Sequence, residues 1–274
     1  MISSPGDSDV AVVLGPGGPV GTAWLLGLAA GLRRSGVDLA RADLLVGTSA
    51  GAIAAAALTN GRNLDELAEL PSARSRAGDP TVMPRVFEIL NAPGADPRES
   101  LRQVGTLARE ADAMPQEDHL AAMEYSVGGR TWPDAPLLIT AVDIDSGEPV
   151  VWHGQSGVPL HAAVASSSAA PGYTEPITID GRRYMDGAFG GGSNAHLANG
   201  AGTLILIEPM GQMFPAAPVQ AARRLSVMPD EAAREAFGPD LGDRNRWPGT
   251  YQAGLRQSAA LVADLAPLLH KRPA

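Results

Sequence analysis

Near the start of the chain, apolar residues fall in short unbroken runs, and each run is followed by a glycine-rich turn and then by apolar residues at helical spacing. Residues 10 to 15, VAVVLG, predict a strand buried on both faces. PGGPVG follows, and TAWLLGLAAGLRRSG then predicts a helix closing on Gly36. The pattern repeats at once. ADLLVG predicts a second buried strand, TSAG a turn, and AIAAAALTNG a helix with Gly61 beyond its end. Two strand-turn-helix units in succession imply a parallel sheet with helices packed on it.

From Asn63 to Gly129 the pattern becomes helical, with LDELAEL, RVFEIL and SLRQVGTLAREADAM broken by prolines at 71, 80, 84, 93, 97 and 115. This stretch is expected to be a helical insertion. Strands resume with PLLITAVD (136 to 143), PVVW (149 to 152), ITID and RRYM around Gly181, and TLILIE (203 to 208). Between them LHAAVASSSAA predicts a helix. PMGQMFPAAPVQAARR is expected to be a loop leading into a helix, and the last apolar helix falls near LRQSAALVADLAPLLHK. The fold class expected is a three-layer α/β/α arrangement with a mainly parallel central sheet. A single domain is expected over 1–274, with a helical insertion at 63–129 and a C-terminal helical part at 211–274.

Composition narrows the chemistry. The chain has 274 residues, of which 45% are hydrophobic and 19% charged, an ordinary globular balance. A net charge of −9 without any block of Lys or Arg argues against a nucleic-acid surface. The absence of cysteine removes disulfide scaffolds, thiolate zinc sites and cysteine nucleophiles. The N-terminal MISSPGDSDV carries acidic residues where a secretory signal would be basic, so a cytoplasmic location is expected. No run approaches the length of a spanning helix, so any membrane would be met transiently, at its surface.

GTSAG, residues 47 to 51, sets Ser49 between two glycines at a strand-to-helix turn. A nucleophilic serine there needs small neighbours, because the turn is strained and its flanks press on the adjoining strand and helix. Gly47 and Gly51 meet that need, and the helix that follows would present its positive end to an anion forming beside Ser49. The same five residues also suit a plain small-residue turn. At the matching turn of the first unit, GPGGPVG (15 to 21) would expose backbone N–H groups, which suits an oxyanion hole or a phosphate. Read as GxGxxG, it puts Pro16 in the first glycine place, with Asp38 as a ribose ligand. It has no P-loop lysine, and a nucleotide site leaves Ser49 unexplained. Far downstream, YMDGA (184 to 188) carries Asp186 from a strand into a glycine-rich loop. A carboxylate there is a candidate base for Ser49, although Asp-Gly is also a common turn.

Together these three features resemble the patatin-like phospholipase family. The resemblance spans about residues 10 to 210 and implies a patatin-like fold acting as a serine hydrolase on acyl esters of lipids, of phospholipase A, lysophospholipase or esterase type. It implies Ser49 as nucleophile and Asp186 as base in a catalytic dyad. Gly17 and Gly18 would be oxyanion donors, with Gly21, Gly47, Gly51 and Gly187 as supporting motif residues. ASSSAAPGY (165 to 173) and DGAFGGGSNAHLA are similar to further segments of the family. Pro16 stands where the family usually has glycine. Val20 stands where many members carry arginine or lysine, which removes a cation for anionic head groups. Ala188 replaces a second glycine in a variant the family also shows. No metal or cofactor is expected, and the partner is a lipid or small acyl ester.

The rivals are a Ser-His-Asp triad drawing on His119, His153, His161, His196 or His270, an acyltransferase on the same dyad, and a non-catalytic binding module. The triad would need the elbow on a later strand and leaves DGA without a role. The histidines are otherwise expected on the surface or in loops, with His196, ten residues beyond Asp186, the strongest triad candidate. The insertion at 63–129 and PMGQMFP at 209–215 are expected either to border the acyl pocket or to act as a lid, or else to pack as ordinary structure.

Overall fold

A computed structural model of the chain describes residues 9–69, 78–79, 81–211 and 218–269. Its centre is an eight-stranded sheet of β1 (Val10–Leu14), β2 (Leu44–Gly47), β3 (Leu137–Asp143), β4 (Pro149–Trp152), β5 (Ile177–Ile179), β6 (Arg182–Asp186), β7 (Thr203–Ile207) and β8 (Arg223–Val227). The order is β5-β6-β3-β2-β1-β7-β8, with β4 paired to β3. The run from β8 to β3 is parallel, while β4 pairs antiparallel with the edge of β3 opposite β2, and β6, with β5 beyond it, pairs antiparallel with the end of β3 past β2 on the β2 side. Both faces are covered, which is why β1 and β7 read as continuous apolar runs. Ala11 and Val13 face one side with Leu204 and Leu206, and Val12 and Leu14 face the other with Ile205 and Ile207.

The first two crossovers form as expected, with α1 (Gly18–Arg34) after β1 and α2 (Ala50–Thr59) after β2. Every residue of α2 from Ala50 to Leu58 is buried, so the alanine run packs closely on all sides. The insertion forms α3 (Val82–Leu90), α4 (Pro97–Glu110) and α5 (Gln116–Val127). Prolines mark its starts, with Pro97 opening α4 and Pro115 capping α5. The insertion divides between the two faces. α3 and α4 pack on Val142, Ile144 and Met185, whereas α5 packs on α2 and on α6 (Leu160–Ser167) from the opposite side.

The C-terminal region departs from the sequence reading in two ways. AARR was expected to lead into a helix, but Arg223–Val227 is the strand β8, a parallel edge strand on β7. Its exposed arginines hide the alternation, and only Val227 is fully buried. The last helix is also divided. After α8 (Glu231–Phe237), α9 (Trp247–Gln257) gives way to a short 3-10 turn and then to α10 (Val262–Leu269). α9 lies along α1, tied to it by a hydrogen bond from Trp24 Nε1 to Gln257 at 2.9 Å, and it is tied to the 3-10 turn at Leu64–Leu67 by one from Tyr251 Oη to Asp65 at 2.9 Å.

Candidate active site

β3 brings the two key segments together. Gly47, the last residue of β2, pairs with Ile139, and Asp186, the last residue of β6, pairs with Ala141 only two positions along. The chain leaves β2 into the turn that holds Ser49 just where β6 delivers its aspartate. Ser49 donates its hydroxyl to Asp186 Oδ2 over 2.6 Å, across 137 residues of sequence. Both are enclosed, with Ser49 6% and Asp186 3% exposed.

Ser49 has φ +56°, a conformation side chains rarely adopt, and it is the N-cap of α2. Such a turn persists only where its surroundings hold it. A Cβ on Gly51 would lie 1.9 Å from the carbonyl oxygen of Leu14, and one on Gly47 would lie 2.6 Å from Ala52 Cα. The two glycines of GTSAG are therefore required by close approach, as the sequence implied. The backbone N–H of Ser49 is donated to Ser167 Oγ at 2.9 Å.

Asp186 is fixed at several points. Its Oδ1 accepts the Ala188 N–H at 2.8 Å, its own N–H reaches the Ala169 carbonyl at 3.0 Å, and the Gly187 N–H reaches the Ser167 carbonyl at 3.3 Å. Gly187 packs tightly, since a Cβ there would lie 2.4 Å from the Thr140 carbonyl oxygen. Burial raises the Asp186 carboxyl to about 7, against the pull of the Ser49 hydroxyl and the Ala188 N–H towards the ionised form. The carboxyl is thus poised between its two states near neutrality.

On the other face of the sheet, a buried polar cluster supports the same loop. Asn194 Nδ2 donates to Thr48 Oγ1, Thr140 Oγ1 and the Gly187 carbonyl, each at 3.2 Å, and the two threonine hydroxyls lie 2.8 Å apart. One amide therefore ties the residue before Ser49 to the residue after Asp186. Sequence reasoning missed the roles of Ser167, Thr48, Thr140 and Asn194. The serine run at 166–168 and the asparagine after GGGS were the available signals.

The first glycine turn lies at the end of β1. Gly17 caps α1, Gly18 has φ +58°, and Pro209 packs against both Gly17 and Gly21. The Val20 N–H is used by the Leu241 carbonyl at 3.4 Å and the Gly21 N–H by the Gly17 carbonyl at 2.9 Å. Among the described residues, the N–H groups of Gly17 and Gly18 have no hydrogen-bond acceptor. They are the free donors at this helix start.

No described histidine joins the pair, since among the described residues neither Ser49 nor Asp186 is bonded to an imidazole. His196 is exposed on a 3-10 turn, and His270 lies outside the described residues. The expectation that the histidines are surface or loop residues fails for two of them, because His119 on α5 and His161 on α6 are buried by helix packing. Burial lowers His119 to about 4, so it is neutral, and its Nε2 lies 2.9 Å from Ser168 Oγ. Among the described residues no group of acidic or histidine side chains could hold a metal ion, and no helix is long and apolar enough to cross a membrane. Met213 and Phe214 of PMGQMFP also lie outside the described residues.

The sequence matches the family model for patatin-like phospholipase over residues 12–199, more than half of the chain. The chain belongs to the patatin-like phospholipase family. The match runs from β1 to the 3-10 turn after Asn194 and so includes both members of the Ser49–Asp186 pair. The chain has no significant sequence match among curated proteins. Among solved structures it is similar to VipD from Legionella pneumophila, with 12% identity, a TM-score of 0.44, and coverage of 94% of this chain and 67% of that one. It is also similar to the type III effector protein ExoU, with 15% identity, a TM-score of 0.38, and coverage of 98% of this chain and 55% of that one. The family match ends before β7, and the last quarter of the chain lies beyond it.

Proposed function

We propose that this protein is a serine hydrolase that cleaves acyl esters of lipids through a Ser49–Asp186 dyad and an acyl-enzyme. The observation that carries this reading is the buried 2.6 Å hydrogen bond from the Ser49 hydroxyl to Asp186. Family membership supports the lipid ester as substrate.

Ser49 Oγ attacks the ester carbonyl carbon while its proton passes to Asp186 Oδ2. The carbonyl oxygen takes up the negative charge and is received by the N–H groups of Gly17 and Gly18, with the N-terminus of α2 adding its positive end. Collapse of the tetrahedral adduct expels the alcohol, which recovers the proton from Asp186 and leaves the acyl group on Ser49. Water then gives a proton to Asp186, attacks the acyl carbon and releases the carboxylic acid, and Ser49 regains its hydrogen. A carboxyl near 7 suits both directions of this transfer, since it is neither too weak a base nor too weak an acid.

A p-nitrophenyl ester series of increasing chain length, run on wild type, Ser49→Ala, Asp186→Asn and each single histidine variant, tests the proposal. The expected result is loss of about 10³-fold or more in both dyad variants, with every histidine variant active. Equal turnover by wild type and the dyad variants would end it. Adding an alcohol acceptor separates hydrolysis from transfer.

A further inference from the structure

The loop between α8 and α9 bridges the two elements that flank Ser49. Ser49 opens α2, which packs against both α1 and α6. Towards α1, the Thr48 N–H is donated to the Leu14 carbonyl at 3.1 Å, at the end of β1 just before the first glycine turn. Towards α6, the Ser49 N–H is donated to Ser167 Oγ. The loop reaches from one of these sides to the other. At Leu241 its carbonyl accepts the Val20 N–H at 3.4 Å and would lie 2.8 Å from a Cβ on Gly18. At Gly242, the next residue, a Cβ would lie 2.9 Å from the Tyr173 ring, in the segment that follows α6. Two consecutive residues thus join the start of α1 to the segment after α6, and the elbow, bonded towards both, stands between them.

The loop is closed on itself. Arg246 pins its two ends, with Nη1 on the Ala236 carbonyl at 3.3 Å and Nε on Asp243 at 3.3 Å. Between them Asp240 holds the turn, accepting the Gly242 N–H on its carboxylate at 2.8 Å and the Asp243 N–H on its carbonyl at 3.2 Å. Gly238 enters the loop at φ +68°, a conformation that favours glycine. All of these bonds lie within the loop and its ends. Towards α1 and α6, by contrast, the described residues supply one long backbone bond, from Val20, and the packing of Leu241 and Gly242. A compact loop with closed ends and few outward bonds opens at low cost. With it in place Ser49 and Asp186 are almost fully enclosed, although an ester carbonyl has to reach Ser49 Oγ.

We infer that residues 238–243 form a strap that closes the way to Ser49 and lifts to admit an ester. Lifting also returns the Val20 N–H to the helix start where the Gly17 and Gly18 N–H groups stand free. The strap lies outside the family match. Its bearing on turnover rests on the hydrolase proposed above, but access to residue 49 is measured without turnover.

The sequence has no cysteine, so Ser49→Cys in the full chain puts a single thiol at the elbow. Its rate of reaction with dithiobis(nitrobenzoate) is followed alone and with Leu241→Ala, with Tyr173→Ala or, as a control, with Leu225→Ala, which trims a likewise half-buried side chain on the edge strand β8. Thermal midpoints are measured alongside, and the reaction is run well below them. The expected result is modification about fivefold or more faster with Leu241→Ala and with Tyr173→Ala, and unchanged with Leu225→Ala. In the same variants with Ser49 restored, kcat/KM for a short p-nitrophenyl ester should rise in step with the thiol rate. Absence of ester turnover in wild type would refute the proposed function and leave the thiol result intact. An unchanged thiol rate in both strap variants would overturn the inference, as would rates that follow the thermal midpoint and rise equally with Leu225→Ala.

Discussion

Ser167 accepts the backbone N–H of Ser49 on its hydroxyl at 2.9 Å, and its own carbonyl accepts the N–H of Gly187 at 3.3 Å. A single fully buried residue at the end of α6 thus holds the nucleophile's backbone and the backbone beside Asp186. Replacing it with alanine leaves the Ser49 N–H without a partner in a closed site. Ser167→Ala should lower the unfolding free energy by about 1–3 kcal/mol. It should also lower kcat by about tenfold or more with little change in KM, because it moves the reacting groups and not the substrate. Urea denaturation and steady-state kinetics on a short-chain ester check both. A fall in stability with kcat intact would make Ser167 a packing residue only.

Asp186 ties activity and stability to pH in opposite directions. Its carboxyl titrates at about 7 in the fold against 3.8 when free. As the base it must be ionised, so kcat/KM should fall tenfold per pH unit below about 7. For stability the sign is reversed. Between 3.8 and about 7 the native state holds a proton that the unfolded chain has released, so the contribution of this group falls as pH rises. Asp186→Asn cannot titrate. Relative to wild type it should gain stability from pH 4 to pH 8, by an amount on the order of 1–4 kcal/mol. Paired denaturant curves at several pH values measure the difference, and a difference independent of pH would refute the buried-carboxyl account.

The elbow's geometry gives a steric prediction. With 1.9 Å between an added Cβ and the Leu14 carbonyl oxygen, Gly51→Ala must drive α2 away from β1. The cost should reach about 3 kcal/mol, seen as a lower midpoint in thermal or urea unfolding. Gly249 on α9 is the contrast, since nothing lies within 4 Å of a Cβ there. Gly249→Ala should stabilise by up to about 1 kcal/mol.

What the sequence showed was what is written locally. The glycine turn, GTSAG and DGA each have a short-range signature, and their strands are continuous apolar runs because both sheet faces are covered. The bond from Ser49 to Ser167 spans 118 residues and that from Asn194 to Thr48 spans 146, so neither leaves any periodicity to read. The burial of His119 depends on how α5 meets α6, a packing event that no run of residues encodes. β8 was missed for a simpler reason. An edge strand with exposed arginines carries little of the apolar alternation that marks a strand, and the alanines before it mimic a helix.

The central claim, that Asp186 activates Ser49, is tested most directly by labelling with a fluorophosphonate and mapping the adduct by mass spectrometry in wild type and Asp186→Asn. The account predicts one phosphonyl group on the Ser49 peptide, formed at least about 10³-fold more slowly in the variant. A label on any other residue, or equal rates in the two proteins, would contradict it.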